Sequence, residues 1–442
     1  MSTQAISTPA ETTDGLPLPS PVQDPLSMSA VLRIVPMRRM WYAQIVSVLG
    51  DFLALFAVIE VMTFKLHATP QQVTGIQIAY LMPIAILGVI SGVFVDRWPL
   101  KPTLVSSDWI RAALCLLLLA VHNIRGFYAA LASISIVSSF FGPAQGVAIR
   151  SLVPLHGLRS ANALLQQVFF IMRILGPFAA GALVGLFGAK FCYWADSASF
   201  LISGSLIATV PLVSGKKSPP VVPDSDAAFP ERPASALARI GHDMRQGARF
   251  IFHHAALLFV ILSLAAAMFV MGCFLPLIAV YVRDNLHRAL KVFSIASMLI
   301  GVGMMAGVNV LNSLAKGVSN ALQVYGGLLG IAGGTVLMAL APHPVSLYVG
   351  CTLIGVACAG IIVPSQTMIQ QETPPALLGR VGSTVMSVIF TAQIAGLLFS
   401  GVLAQFTSVR RVFALCTAML VALALAGKLW MEPKPHARPV VA

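Results

Sequence analysis

Asp51, Glu60 and Arg173 each stand inside a long run of apolar residues. Charge is costly in hydrocarbon, so each should face a cavity or a partner. A carboxylate in such a place can alternate between protonated and charged forms, the minimum equipment for moving protons. Gln44, Ser47 and Asp51 are spaced by three and four, so a helix sets them on one face, a stripe able to line a polar cavity. Asp51 could equally be a structural acid near a helix end, paired with a loop base. Glu60 falls nine residues further, on the opposite side of the same helix. It is either an acid that selects substrate or carries protons, or one paired near a surface with a base such as Lys65. Arg173 needs an acid or an anionic substrate, with Glu60, Asp51 and Asp196 as candidates. Asp108 and Arg111, three apart, read as an internal pair. Gln145, Gln166, Gln167, Gln366, Gln393 and Asn309 are uncharged candidates for the cavity, or form hydrogen bonds between helices.

The elements that must position these groups are membrane helices. Of 442 residues, 57% are hydrophobic and only 10% are charged, against about 25% charged in a soluble protein. The apolar runs cross about 30 Å of hydrocarbon and do not alternate as barrel strands would. Twelve spans are expected, near 41–65, 76–95, 103–121, 127–148, 161–187, 190–211, 250–282, 290–312, 320–341, 345–368, 379–406 and 409–430. The fold class is therefore an all-α membrane protein of about twelve helices. The six cysteines lie in apolar runs and read as packing residues without disulfides. A net charge of +13 does not indicate nucleic acid, because the bases sit in short loops and tails. No phosphate loop or H-E-x-x-H zinc site is present, so no catalytic residue, metal or cofactor is expected.

Residues 1–38, rich in Ser, Thr and Pro, read as a disordered tail. Six spans in 39–211 are followed by a Pro-rich linker over 212–249, six more in 250–430, and a short tail over 431–442. Most of the 28 Lys and Arg fall on one side if both termini and the linker share it, which predicts termini in the cytoplasm. The halves resemble copies. Pro143-Ala144-Gln145 returns as Pro364-Ser365-Gln366, with Pro154 matched by Pro375 and Arg159 by Arg380, all 221 residues on. Parallel six-helix repeats are one known transporter layout.

The loop after the second span reads Gly92-Val93-Phe94-Val95-Asp96-Arg97-Trp98-Pro99-Leu100-Lys101. It resembles the G-x-x-x-D-R-x-x-x-[R/K] signature of the major facilitator superfamily, with Pro99 and Leu100 departing from the usual residues. The resemblance implies two six-helix bundles and a cytoplasmic latch. Asp96 would face the positive end of the eleventh helix near Gly379, with Arg380 as a direct partner. Gly92, Arg97 and Lys101 complete that loop. The second half has only Ala315-Lys316-Gly317 there, without the acid. The stretches Trp41 to Asp51, Leu152-Val153-Pro154 and Asp196 to Phe200 are similar to the enterobactin-exporter and macrolide-efflux group. Gly176-Pro177-Phe178-Ala179-Ala180-Gly181 resembles the G-P-x-x-G-G core of an exporter motif, with Ala180 replacing a glycine; plain helix packing is the alternative.

These resemblances imply a transporter, not an enzyme, exporting drug-like or siderophore-like amphipathic molecules, with a proton as coupling ion, as a monomer in the lipid bilayer of a cell inner membrane. A lipid or lysophospholipid translocator of the same fold is the alternative cargo. A scaffold or receptor is the alternative of another class.

Overall fold

The computed structural model describes residues 26–95, 98–212, 245, 249–252, 254–313, 317–374 and 377–431. Asp96, Arg97 and nearly all of the linker lie outside these residues. Thirteen α-helices are described. A short α1 (Met28–Arg33) precedes α2 (Val35–Glu60), α3 (Pro70–Val95), α4 (Leu100–Leu117), α5 (Ile124–Leu152), α6 (Leu158–Phe187) and α7 (Ala189–Ala208). The second half holds α8 (Ala255–Asp284), α9 (Leu290–Ser313), α10 (Asn320–Leu340), α11 (Pro344–Glu372), α12 (Leu378–Phe406) and α13 (Val409–Ala426). Nine of these are long and apolar enough to cross a membrane. The other three long helices are α3, α4 and α7; α4 carries Lys101, Asp108 and Arg111, and α7 carries Lys190 and Asp196.

The packing repeats between halves. In the first, α2 packs on α6 and α7, α3 on α5, and α4 on α5 and α7. In the second, α8 packs on α12 and α13, α9 on α11, and α10 on α11 and α13. The bundles meet along two matching seams, α3 with α12 and α6 with α9. Pro143 and Pro364 sit inside the corresponding helices α5 and α11. The first helix of each half also ends alike. The Ala68 amide donates to the Met62 carbonyl at 2.8 Å, and the Arg288 amide to the Val282 carbonyl at 3.0 Å. Each turn passes through a left-handed histidine, His67 (φ 47) or His287 (φ 51). That seven-residue closure, one residue wider than the usual helix-ending turn, satisfies a terminal carbonyl, with histidine where glycine is usual.

Small residues set how closely the helices approach. A Cβ on Gly303 would stand 2.3 Å from the Thr352 carbonyl oxygen, and one on Gly355 2.2 Å from that of Ile300. Helices α9 and α11 are thus in backbone contact, as small-residue interfaces in membranes allow. Gly355→Leu is expected to lower the melting temperature of the detergent-purified protein, with overpacking of about 1–3 kcal/mol or more. Gly326→Ala, where an added Cβ meets nothing within 4 Å, should melt as the native chain does.

Residues 28–33 and 35–38 are helical, with a break at Ile34, whereas composition suggests a disordered tail. Ser27 caps α1 by accepting from the Ala30 amide. Val31 and Met37 are buried against Ile149, Val153 and Leu164. The Ser160 hydroxyl donates to the Leu26 carbonyl at 2.5 Å. Apolar spacing in this segment, not its Ser and Pro content, decides the outcome.

Candidate functional site

Two ends of the molecule differ. One carries the start of α2 and the ends of α7 and α13, the side nearest the termini of the described residues; the other carries the α2–α3 and α8–α9 turns. At the second end the bundles are closed together. Arg283 of α8 donates from one guanidinium nitrogen to the carbonyls of Thr63 and Ala68, 2.8 Å each, capping the end of α2 across the interface. Asp284 orients it through bonds of 2.5 and 2.9 Å. Added Cβ atoms on Gly181 and Gly401 would meet Ser294 Oγ at 2.3 Å and Thr74 Oγ1 at 2.0 Å, so both seams are tight there. Toward the termini, Gly88 of α3 and Gly382 of α12 face open space. Arg283→Gln removes the strap. It is expected to raise the alkylation rate of a cysteine placed at Ser294, now 4% exposed, several-fold; an unchanged rate would mean the strap does not hold this end.

Between the bundles lies a chamber of about 180 Å³. Phe52, Phe56, Gln77, Arg173, Phe293 and Ser297 contribute to its wall. Phe56 and Phe293 stack across the interface at 5.3 Å, and Phe52 continues the aromatic wall at 6.4 Å from Phe56. A second chamber of about 340 Å³ runs along the α6–α9 seam past Gln167, Phe170, Met304 and Asn309. Arg173 borders both.

A separate polar cluster lies inside the first bundle. Arg111 and Asp108 of α4 are in contact as a buried ion pair. Asp108 also accepts from Ser203 Oγ of α7 at 2.7 Å. The Arg111 guanidinium lies over the rings of Phe200 and Phe141, 4.2 and 4.6 Å from their centroids. Asp196 of α7 accepts from Cys115 Sγ at 3.0 Å. Gly50 makes room for it, since a Cβ there would stand 2.4 Å from Asp196 Oδ1. Asp51, one residue on, lies within electrostatic reach of Arg111, Asp108, Tyr80 and Asp196. Asp108 and Asp196 are buried, while Asp51 keeps partial exposure. Among the described residues no three His, Cys, Asp or Glu side chains are placed to hold a metal.

The residues singled out from sequence thus divide. Gln44 accepts from Gln145 Nε2 at 2.6 Å, so these two meet inside the first bundle, not between bundles. Asp51 joins the acid cluster. Glu60 is buried beside Cys192 and Tyr193 of α7 and lies 3.8 Å from Lys65 Nζ. Arg173 meets none of Glu60, Asp51 and Asp196. Gln366 is exposed on α11. Gly176 admits the Phe52 side chain, which would lie 2.6 Å from an added Cβ, and Pro177 is buried on the chamber wall. Gly181 brings α6 against α9. Of the proposed latch, Gly92 lies in α3, Lys101 in α4, and Arg380, half-buried, in the first turn of α12; Asp96 and Arg97 lie outside the described residues. Gln77 and Ser297 were not expected at the site. Gln77 adjoins the expected boundary of its span at 76, but α3 begins at Pro70, two turns earlier, and so carries Gln77 to the chamber.

The family model of the Major Facilitator Superfamily matches residues 40–388 and 324–442. The chain belongs to the major facilitator superfamily. Like this facilitator in sequence is the MFS-type transporter YfiS of Bacillus subtilis (strain 168), 24% identical over 87% of this chain and 90% of the relative. Macrolide efflux protein A of Streptococcus pyogenes is 23% identical, over 87% and 93% respectively. Among solved structures, a variant of the nucleoside transporter NupG matches the fold with a TM-score of 0.68 at 14% identity, over 88% of this chain and 98% of that one. This facilitator is a multi-pass membrane transporter of small molecules and not an enzyme, and membership decides against the scaffold alternative.

Proposed function

We propose that this facilitator is a proton-coupled exporter of small amphipathic molecules, with its termini in the cytoplasm of a bacterial-type cell and its bundles rocking as one monomer around the central chamber. The observation that carries this reading is the cluster of three carboxyls, the buried Asp108 and Asp196 and the partly buried Asp51, with one guanidinium, Arg111. Such an excess of acid is tolerable in low dielectric only if protons neutralise part of it. Asp108 is bound to Arg111, which leaves Asp51 and Asp196 to share the exchangeable proton. Asp51, the less buried member, serves as the port; Asp196, behind Gly50, is the inner site. Both border α2 and α7, and α2 also walls the chamber through Phe52 and Phe56. Protonation of the pair and occupancy of the chamber therefore act on one helix.

Export as the direction is supported by the Gly176-Pro177 segment on the chamber wall and by the likeness to a macrolide efflux protein. A latch of Asp96 and Arg97 with Arg380 would hold the termini side shut in the opposite state. The test is uptake into vesicles reconstituted with purified protein, using ethidium, rhodamine 123 and fluorescein as probes under an imposed pH gradient. At least one probe should concentrate against its gradient, and a protonophore should collapse that accumulation. Equilibration of every probe without concentration would contradict proton coupling.

A further inference from the structure

Arg173 differs from the other guanidiniums engaged between or within the helices. Arg111 has Asp108 and two aromatic rings. Arg283 has Asp284 and two carbonyls. Arg39 donates to the Thr209 carbonyl, and Arg410 to that of Ala339. Among the described residues no carboxylate pairs with Arg173, which keeps partial exposure toward the chambers it borders. The titratable group that it feels is the thiol of Cys358, which carries no ordinary counter-charge. It stands mid-helix, four residues before Pro177, where reaching for a membrane surface would mean leaving the chamber wall.

We propose that Arg173 is the anion-binding group of the central chamber and that the cargo is an aromatic organic acid. The geometry supplies three complementary parts. The guanidinium presents a planar fork that matches a carboxylate or sulfonate with two parallel hydrogen bonds. Gln77 and Ser297 line the same chamber and offer further donors. Phe52, Phe56 and Phe293 form an aromatic wall on which a flat ring can lie. Volume decides how such a molecule sits. The inner chamber, about 180 Å³, falls below the roughly 300–1,000 Å³ of small-molecule sites. The adjoining chamber adds about 340 Å³. A drug-sized acid must therefore extend through both, with its charge at Arg173 where they meet and its ring between the phenylalanines. The bound anion supplies the charge partner that the protein itself withholds. It also fits the placement of the acids of the first bundle: Asp108 and Asp196 are tied to side chains of α4 and α7, and Asp51 lies within electrostatic reach of the same cluster, so none pairs with the guanidinium.

This inference rests on the chamber being the substrate site, but not on proton coupling. It is therefore tested by equilibrium binding, without a gradient. Fluorescein and rhodamine 123 share one ring frame, the first anionic and the second cationic. Fluorescence anisotropy with the purified full chain is expected to show fluorescein binding and weaker or no binding of rhodamine 123. Arg173→Gln should weaken fluorescein binding about tenfold or more, with Arg173→Lys intermediate, because charge survives while the fork is lost. Gln77→Glu keeps Arg173 and places an acid in the same chamber. It should also depress fluorescein binding and favour rhodamine 123, which keeps the test decisive if Arg173→Gln does not fold. No fluorescein binding, equal binding by Arg173→Gln, or an equal loss of both dyes in that variant would each overturn the proposal. Failure of gradient-driven uptake with this binding pattern intact would instead count against proton coupling alone.

Discussion

Asp51→Asn and Asp196→Asn should each reduce gradient-driven accumulation in reconstituted vesicles by roughly tenfold or more, the scale expected when a group that carries the proton is lost. Exchange of labelled for unlabelled probe, which needs no net proton movement, should persist. The physical reason is charge. A neutral amide in either place removes the proton-accepting pair but leaves the volume, the Cys115 contact and the Gly50 approach nearly unchanged. Asp51→Asn should have the larger effect on the pH dependence of transport, because Asp51 is the partly exposed member. Loss of exchange together with accumulation would assign these acids to packing or substrate binding.

A large structural effect is expected at Arg111. Replacing it with Gln strands Asp108 in the protein interior, where that carboxyl is 0% exposed. Removing one partner of a buried pair costs about 3–5 kcal/mol. The lost contacts to Phe141 and Phe200 add about 0.5–2 kcal/mol. The Arg111→Gln protein should melt well below the native one in detergent. Adding Asp108→Asn should restore part of the loss, because no uncompensated charge remains. An Arg111→Gln protein that melts as the native chain does would mean that Asp108 is already neutral.

Nine of the helices were legible in the sequence because a span has one requirement, about twenty apolar residues, and each of these runs meets it alone. The repeat was legible as well: Pro143 and Pro364 do occupy matching helices. Two features escaped. Helix starts depend on single capping residues. His254 adopts an extended backbone (φ −120, ψ 98) at the N-cap of α8, and that helix begins at Ala255, not at 250. The other is direction. Periodicity put Gln44, Ser47 and Asp51 on one face, yet a helix in a bundle has several inner faces, and spacing does not say which neighbour each meets. Gln44 turned out to meet Gln145 of α5, and Asp51 the acids of α4 and α7. Asp108 with Arg111 was legible because three residues along one helix bring them together. The neighbours of Arg173 were not, because they come from α2, α3, α8 and α9, far away in the chain.

Proton-driven rocking of the two bundles is the claim on which the rest depends. Distances between spin labels test it most directly, because all six native cysteines are buried. One pair, Leu66→Cys with Arg288→Cys, reports the closed end; the other, Leu155→Cys with Leu322→Cys, reports the termini end. In the native background, moving from alkaline to acidic buffer should change the two distances in opposite directions. With Asp51 and Asp196 both replaced by Asn, neither distance should respond. Distances in the native chain that ignore pH, or that change equally in the double variant, would contradict the account.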